Sequence, residues 1–203
     1  LAFGLSSGKI LEFPGIENVE YHDALGFLRS NKKNPSRIKN QEIVVIGGGS
    51  VAIDAALSAK KAGAKAVKIV CLESREEMPC LSYEIDELMA ENIEIFNSWG
   101  PVEVMNHSDP KILKCVQCKN ICTDNGDFAP DFDESSQTEI PFDNMIFAVG
   151  QQIDPRVLEY MQSNYPDMLH KNKFSLKEGS FELDKFENIY IGGDLLRGGK
   201  TIV

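Results

Sequence analysis

Basic residues are in short supply in this 203-residue chain: Lys and Arg number 21 against 31 Asp and Glu, a net charge of −10. A nucleic-acid backbone is bound by clustered cations, so this balance argues against a polynucleotide partner. Long apolar runs are also lacking. No segment reaches the roughly 20 apolar residues that span a bilayer, and the first residues hold no basic region followed by an apolar core. A soluble, cytoplasmic protein with no membrane partner is therefore expected. Cysteine is sparse and odd in number (Cys71, Cys80, Cys115, Cys118, Cys122) in a chain too long to need disulfide staples, so reduced thiols are expected. The three histidines, His22, His107 and His170, are scattered, and no Ser or Cys nucleophile can be matched to one of them. Hydrolytic catalysis has no support. There is neither an internal repeat nor a low-complexity tract.

What is present begins at Glu42. Glu42–Ile46 and Ala66–Leu72 are short runs rich in Val and Ile, separated by an alanine-rich segment of crossover-helix length, which predicts a βαβ unit. Ala52, Ala55, Ala56, Ala59 and Ala62 recur at helical spacing, letting the helix backbone lie close to a sheet, and Gly63 is expected to end the helix. Between strand and helix stands Gly47-Gly48-Gly49-Ser50-Val51-Ala52, the spacing G-x-G-x-x-A. The first glycine permits a tight turn, the second lets the backbone approach a pyrophosphate, and Ala52 allows close helix packing. Free N–H groups and the helix dipole attract the anion. The alternative is a structural glycine turn without a ligand. Asp54, in the first turns of that helix, suits the dipole and is read as structural.

Glu73 ends the second strand, 21 residues after Ala52, where an acid can take both hydroxyls of an adenine ribose. NAD(H) is the expected cofactor, with Glu73, Ser74 and Arg75 as candidate contacts. A 2′-phosphate would face a carboxylate with no adjacent Arg pair. NADP(H) is thus disfavoured, with Arg75 as the complication because it could swing to a phosphate. A merely solvated acid at a strand end is the competing reading of Glu73.

Further along, Ser82–Glu91 reads as a helix with Ile85, Leu88 and Met89 on one face, and Ile93–Phe96 as a strand. Val102–Met105 and Ile112–Cys118 look antiparallel, and the acidic stretch Thr123–Thr138 looks like a loop or insertion. Met145–Val149 and Ile189–Ile191 read as further strands. Cys115, Cys118 and Cys122 have spacing that invites a metal, but on a regular strand Cys115 and Cys118 would point to opposite faces. No metal site is expected, and Asp124, Asp127, Asp131, Asp133 and Glu134 are read as a solvated loop without EF-hand spacing.

Five stretches together resemble the pyridine-nucleotide domain of the flavoprotein disulfide reductase superfamily, in the branch of the glutamate synthase small subunit and dihydropyrimidine dehydrogenase. They are Leu1–Gly4 ("LAFG"), Phe13–Gly15 ("FPG"), "VVIGGGSVAID", Arg75–Pro79 ("REEMP"), and "FAVGQQIDP" followed by "IYIGGD". The resemblance implies a Rossmann-like α/β fold: a parallel sheet with an antiparallel β insertion, flanked by stubs of an incomplete FAD domain. It adds Ala148 and Gly150 to the nucleotide contacts and Gly193 and Asp194 as the flavin contact. It divides the chain into residues 1–12 and 186–203 of a flavin domain and 13–185 of an NAD(H)-binding domain. The implied chemistry is hydride transfer between nicotinamide and FAD, with no catalytic side chain and onward transfer to an iron-sulfur centre or partner subunit. Two departures matter. Leu72 and Glu73 stand where NADPH-dependent relatives carry an Arg pair, and Cys115-x-x-Cys118 follows the glycine loop instead of preceding it, so disulfide reduction does not carry over. An NADPH-specific version, a thiol-disulfide reductase using that pair and a non-catalytic nucleotide sensor remain the alternatives.

Overall fold

The computed structural model describes residues 1–33, 35–105, 109–170 and 173–198. In chain order its elements are β1 (Ser7–Gly8), β2 (Tyr21–Asp23), α1 (Ala24–Asn31), β3 (Glu42–Ile46), α2 (Ser50–Lys61), β4 (Ala66–Val70), α3 (Ser82–Ala90) and β5 (Glu94–Phe96). There follow β6 (Trp99–Met105), β7 (Lys111–Cys122), β8 (Phe128–Phe142), β9 (Asn144–Phe147), β10 (Gln151–Gln152), α4 (Pro155–Asn164), β11 (Leu169–His170), β12 (Lys173–Phe174) and α5 (Asp194–Arg197). They form two compact units, Ile10–Val149 and the pair of segments Leu1–Lys9 and Gly150–Val203.

The larger unit is a parallel five-stranded sheet in the order β2-β9-β3-β4-β5, joined to an antiparallel sheet in the order β6-β7-β8. Because successive strand residues face opposite sides, β3 divides itself between two cores: Ile43 and Val45 enter one cluster, Val44 and Ile46 the other. The first cluster holds Phe27, Ala52, Ile53, Ala56, Leu88 and Ile146 from α1, α2, α3 and β9. The second holds Val104, Leu113, Cys115, Ile140 and Phe142, so the antiparallel sheet covers the face the helices leave bare. That double cover explains why β3 reads as an unbroken apolar run. Burying Ile53 and Leu88 contributes roughly 1.5–3 kcal/mol each. Ala52, Ala55, Ala56 and Ala59 are fully buried, as the helical spacing of small residues predicts, and Gly63 follows the helix at φ 91°.

Two local expectations need correction. Thr123–Thr138 is not a loop: after a turn in which Thr123 N–H and Asp127 carbonyl pair at 2.9 Å, β8 runs back along β7 from Phe128. Its acidic side chains are largely on exposed positions, so solvent carries their charge while the β7 backbone satisfies the ladder. Met89 is 60% exposed and not on the buried face of α3, which Leu88 supplies alone. Cys115 and Cys118 are both buried, Cys115 in the core under the antiparallel sheet and Cys118 outside that cluster. β7 keeps an unbroken ladder to β6 from Cys115 to Gln117, as opposite facing of the two thiols requires, and the register shift at Val116/Gln117 comes from extra residues 134–136 on β8.

In the smaller unit β1 pairs with β10 and β11 with β12, all antiparallel. Asp154 caps α4, accepting a hydrogen bond from Arg156 N–H at 2.9 Å, with Pro155 in the first turn. Met161, Met168, Leu183 and Ile191 form its core. Ile189–Ile191 is not a regular strand. Tyr190 makes an isolated bridge to Glu182 and its carbonyl accepts from the Leu1 ammonium, while Ile189 carbonyl accepts from Leu183 N–H. Residues 150–185 pack with the two end segments through β1–β10 and this core, and the compact division of the chain falls at 9/10 and 149/150.

Candidate nucleotide site

The site is built where β3 turns into α2. Gly47 has φ 130°, and a methyl group in place of its hydrogen would stand 2.5 Å from Ala148 carbonyl oxygen, so only glycine fits and Ala148 lies directly against the turn. Gly49 is the N-cap of α2 in extended conformation, with its carbonyl accepting from Ala52 N–H at 2.8 Å. The N–H groups of Gly48, Gly49, Ser50 and Val51 find no acceptor among the described residues. Four free donors at a helix N-terminus are what an anionic diphosphate requires.

Glu73 completes the turn from the neighbouring strand. A methyl group on Gly48 would lie 2.8 Å from Glu73 Oε2 and 3.1 Å from Cys71 Cβ, so the carboxylate rests on the glycine loop over a cysteine floor. Its backbone is pinned: Glu73 carbonyl accepts from Ser98 N–H at 2.9 Å and from Asn97 Nδ2 at 3.2 Å, and Asn97 also reaches Cys71 Sγ at 3.4 Å. Burial pushes the Cys71 thiol up to about 12, with the Glu73 charge the next cause. Ser50 Oγ donates to Glu84 Oε2 at 2.9 Å, and the same oxygen accepts from Leu81 N–H at 2.7 Å, tying the start of α2 to the start of α3. Asp54 is held above the usual carboxylate range by burial, then by Glu84 and Glu87.

Beside Glu73 opens a cleft of about 420 Å³. One wall is Leu72, Glu73, Ser74, Glu77 and Pro79; Ser98 and the β7 segment Cys118–Cys122 form the other. Ser74 N–H and Oγ are engaged by Glu77 Oε2 at 3.3 and 2.7 Å. Arg75 does not line this cleft. Its guanidinium donates to Met89 Sδ of α3 at 3.0 Å, so the cation that sequence proximity offered to a 2′-phosphate is directed elsewhere.

Gly47–Ala52, Glu73, Ser74 and Ala148 are thus gathered in the larger unit, whereas Gly150, Gly193 and Asp194 belong to the smaller one. There Gly193, at φ 67°, leads into α5, and Gly198 N–H closes the turn on Asp194 carbonyl at 2.9 Å. His107 lies outside the described residues. Among the described residues no group of three or more His, Cys, Asp or Glu could hold a metal ion. Nor is any helix among them long and apolar enough to cross a membrane. Burial raises the Cys115 thiol to about 12 and lifts that of Cys118 as well, opposite to the depressed pKa of a reactive redox pair.

Sequence reasoning missed Asn97, Glu84 and the β7 wall. Glu84 had a usable signal in its position three residues after the N-cap. Asn97 and Lys119–Asn120 had none, because their roles depend on strands that meet only in the folded chain.

The chain matches the pyridine nucleotide-disulphide oxidoreductase family over residues 1–203 and belongs to it. Among curated relatives it is similar to the glutamate synthase [NADPH] small chain of Halomonas elongata, 25% identical over 98% of this chain and 45% of the relative. It is also similar to the NAD-dependent dihydropyrimidine dehydrogenase subunit PreT of Escherichia coli, 26% identical over 98% of this chain and 42% of the relative. The chain therefore spans less than half the length of these two proteins. Its fold is shared with Mycobacterium tuberculosis FprA in complex with NADPH, at TM-score 0.73 and 15% identity over 99% of this chain and 58% of that one. Lactococcus lactis thioredoxin reductase shares it too, at TM-score 0.67 and 19% identity over 97% and 56%.

Proposed function

We propose that the chain is the NAD(H)-binding part of an FAD-dependent oxidoreductase, passing hydride between nicotinamide and flavin with onward transfer to an iron-sulfur centre or partner subunit. Ile10–Val149 is the nucleotide-binding part in this reading, and the unit of Leu1–Lys9 and Gly150–Val203 belongs to the flavin-binding part, with Gly193 and Asp194 as a flavin contact. A reduced, cytoplasmic setting accords with five free thiols.

The observation that carries the reading is the acid on the glycine loop: four unclaimed N–H groups with the Glu73 carboxylate against Gly48. The N–H groups would hold the diphosphate, and Glu73 would accept from the ribose 2′- and 3′-hydroxyls. Ala148 and Gly47 keep the turn tight, and Asn97 and Ser98 hold the Glu73 backbone. When bound, the nicotinamide supplies hydride chemistry that needs no side-chain acid or base from this chain. The relatives are named for both nucleotides, so the preference for NAD(H) rests on Glu73 and on Arg75 pointing to Met89.

Titration with NADH and NADPH at one ionic strength tests it. NADH is expected to bind tighter by about tenfold or somewhat more, the worth of hydrogen bonds to a charged group. Glu73→Arg should move the preference towards NADPH. Equal affinities, or tighter NADPH, would refute the role of Glu73.

A further inference from the structure

We infer that the Lys119–Asp133 ion pair sets how strongly the cleft rejects a nucleotide bearing a 2′-phosphate: Lys119 is the cation such a phosphate recruits, and Asp133 is the group that withholds it. The inference rests on the nucleotide reading above and adds a specificity determinant on the far wall of the same site.

Three observations converge on the pair. First, the cleft carries the carboxylates of Glu73 and Glu77, and among the residues lining it Lys119 is the only Lys or Arg. Arg75, the cation nearest in sequence to Glu73, is spent on Met89. Second, Lys119 sits at a bulge. Cys118 opposes Phe132 and Asn120 opposes Asp131, so β7 has one more residue here than β8, and the extra one is Lys119. A bulge bends the strand and re-aims the side chain it carries. Cys118, the residue before it, is anchored by its N–H to Ser98 carbonyl at 2.8 Å, which fixes the bulge against the strand end that also pins Glu73.

Third, Asp133 is a prepared partner. It opposes Gln117, two residues before Lys119, within the diagonal reach of a long side chain. Its Oδ1 accepts from Ser135 N–H at 3.1 Å and Ser135 Oγ at 2.5 Å, leaving Oδ2 for Lys119 Nζ at 3.0 Å. These bonds hold its carboxyl down at about 2, Ser135 first and Lys119 next, so it stays charged at working pH. The lysine side chain is 53% exposed and the aspartate 27%. The carboxylate is the fixed member, and the ammonium, on a flexible four-carbon stem, is the one that can leave. Exposed pairs are weak, so drawing Lys119 away from Asp133 costs a 2′-phosphate about two- to fivefold in affinity. The acidic return strand thereby adds a second rejection to that of Glu73, since it keeps the one cation of the cleft engaged.

The test compares NADPH and NADH titrations of the full chain as wild type, Asp133→Asn, Lys119→Met and the double variant, at one low ionic strength. Asn keeps the shape of Asp133, and thermal melts confirm the fold. Asp133→Asn is expected to tighten NADPH about two- to fivefold while leaving NADH unchanged, and Lys119→Met to abolish that gain in the double variant. An NADPH-to-NADH ratio unmoved by Asp133→Asn, or a gain that persists without Lys119, overturns the inference while leaving the nucleotide site standing. Failure of the wild type to bind either nucleotide overturns both, and that result is separate from an unmoved ratio.

Discussion

Replacing Gly49 with valine separates binding from folding. Gly49 has φ −87° and ψ 172°, extended backbone that a β-branched residue adopts without strain, and its Cβ would meet only Pro79, at 3.8 Å. The stability cost is confined to a poorer N-cap, about 1 kcal/mol, or about 2–4 °C in Tm for a chain of this length. Binding fares differently. The valine methyl groups project where a diphosphate must approach the N–H groups of Gly49 and Ser50, and losing two hydrogen bonds to a charged acceptor costs about 3–6 kcal/mol. That is more than a hundredfold in Kd. Calorimetric titration with NADH, beside a thermal melt of each protein, reads both quantities. A Gly49→Val protein that melts within a few degrees of wild type and binds NADH unchanged would show that the loop does not hold the pyrophosphate.

Gly47→Ala should do the reverse and lower stability by about 1–3 kcal/mol or more, from positive φ and a methyl group 2.5 Å from Ala148 carbonyl oxygen; an unchanged urea midpoint would contradict the turn geometry. Asn97→Ala leaves Glu73 carbonyl with only Ser98 N–H and the weak Cys71 thiol as donors and should weaken NADH by up to about tenfold with little change in Tm, read by the same titration. Glu42 is held below the usual carboxylate range by hydrogen bonds from Lys65 and then Lys68, so its stabilisation is full above the ordinary carboxylate pKa and lost as pH falls through the lower folded value. Wild type should exceed Glu42→Gln in urea stability at pH 7, and the two should converge in acid; parallel curves across that range would refute the pairing. Asp54 has the opposite sign. Its raised pKa means that ionisation opposes folding as pH rises past the unfolded value, so Asp54→Asn should raise Tm at neutral pH and lose the advantage in acid, as melts at two pH values would reveal.

The βαβ unit was legible because everything that defines it is local. β3, the glycine turn, α2 and β4 are contiguous, their periods change from strand to helix and back, and the loop chemistry sits at the junction. Ala148, on a strand distant in sequence, came from resemblance to a family and not from any period. The β7–β8 hairpin was half legible. Apolar alternation marks the part of β7 over the parallel sheet, whereas acidic β8 has few buried side chains to betray it and is held chiefly by backbone pairing. The pairing of β8 was not legible for a related reason: register shifts are decided by both strands together. Arg75 shows the limit of proximity in sequence. Two residues from Glu73, it turns to the sulfur of Met89, while Lys119, 46 positions away, lines the cleft.

The cysteine beneath the glycine turn has an electrical consequence. A bound dinucleotide brings two negative charges to the loop, and any anion in the floor would push against them at short range, where intervening water is scarce. Most floors built from an ionisable side chain would change sign or strength somewhere in the range through which cells drift. Cys71, with its thiol proton held to about pH 12, does not. The floor is an insulator: compact enough for Gly48 to lie against it, and neutral throughout physiological pH. Whatever acidity dependence nucleotide binding displays must then come from the ligand or from the walls.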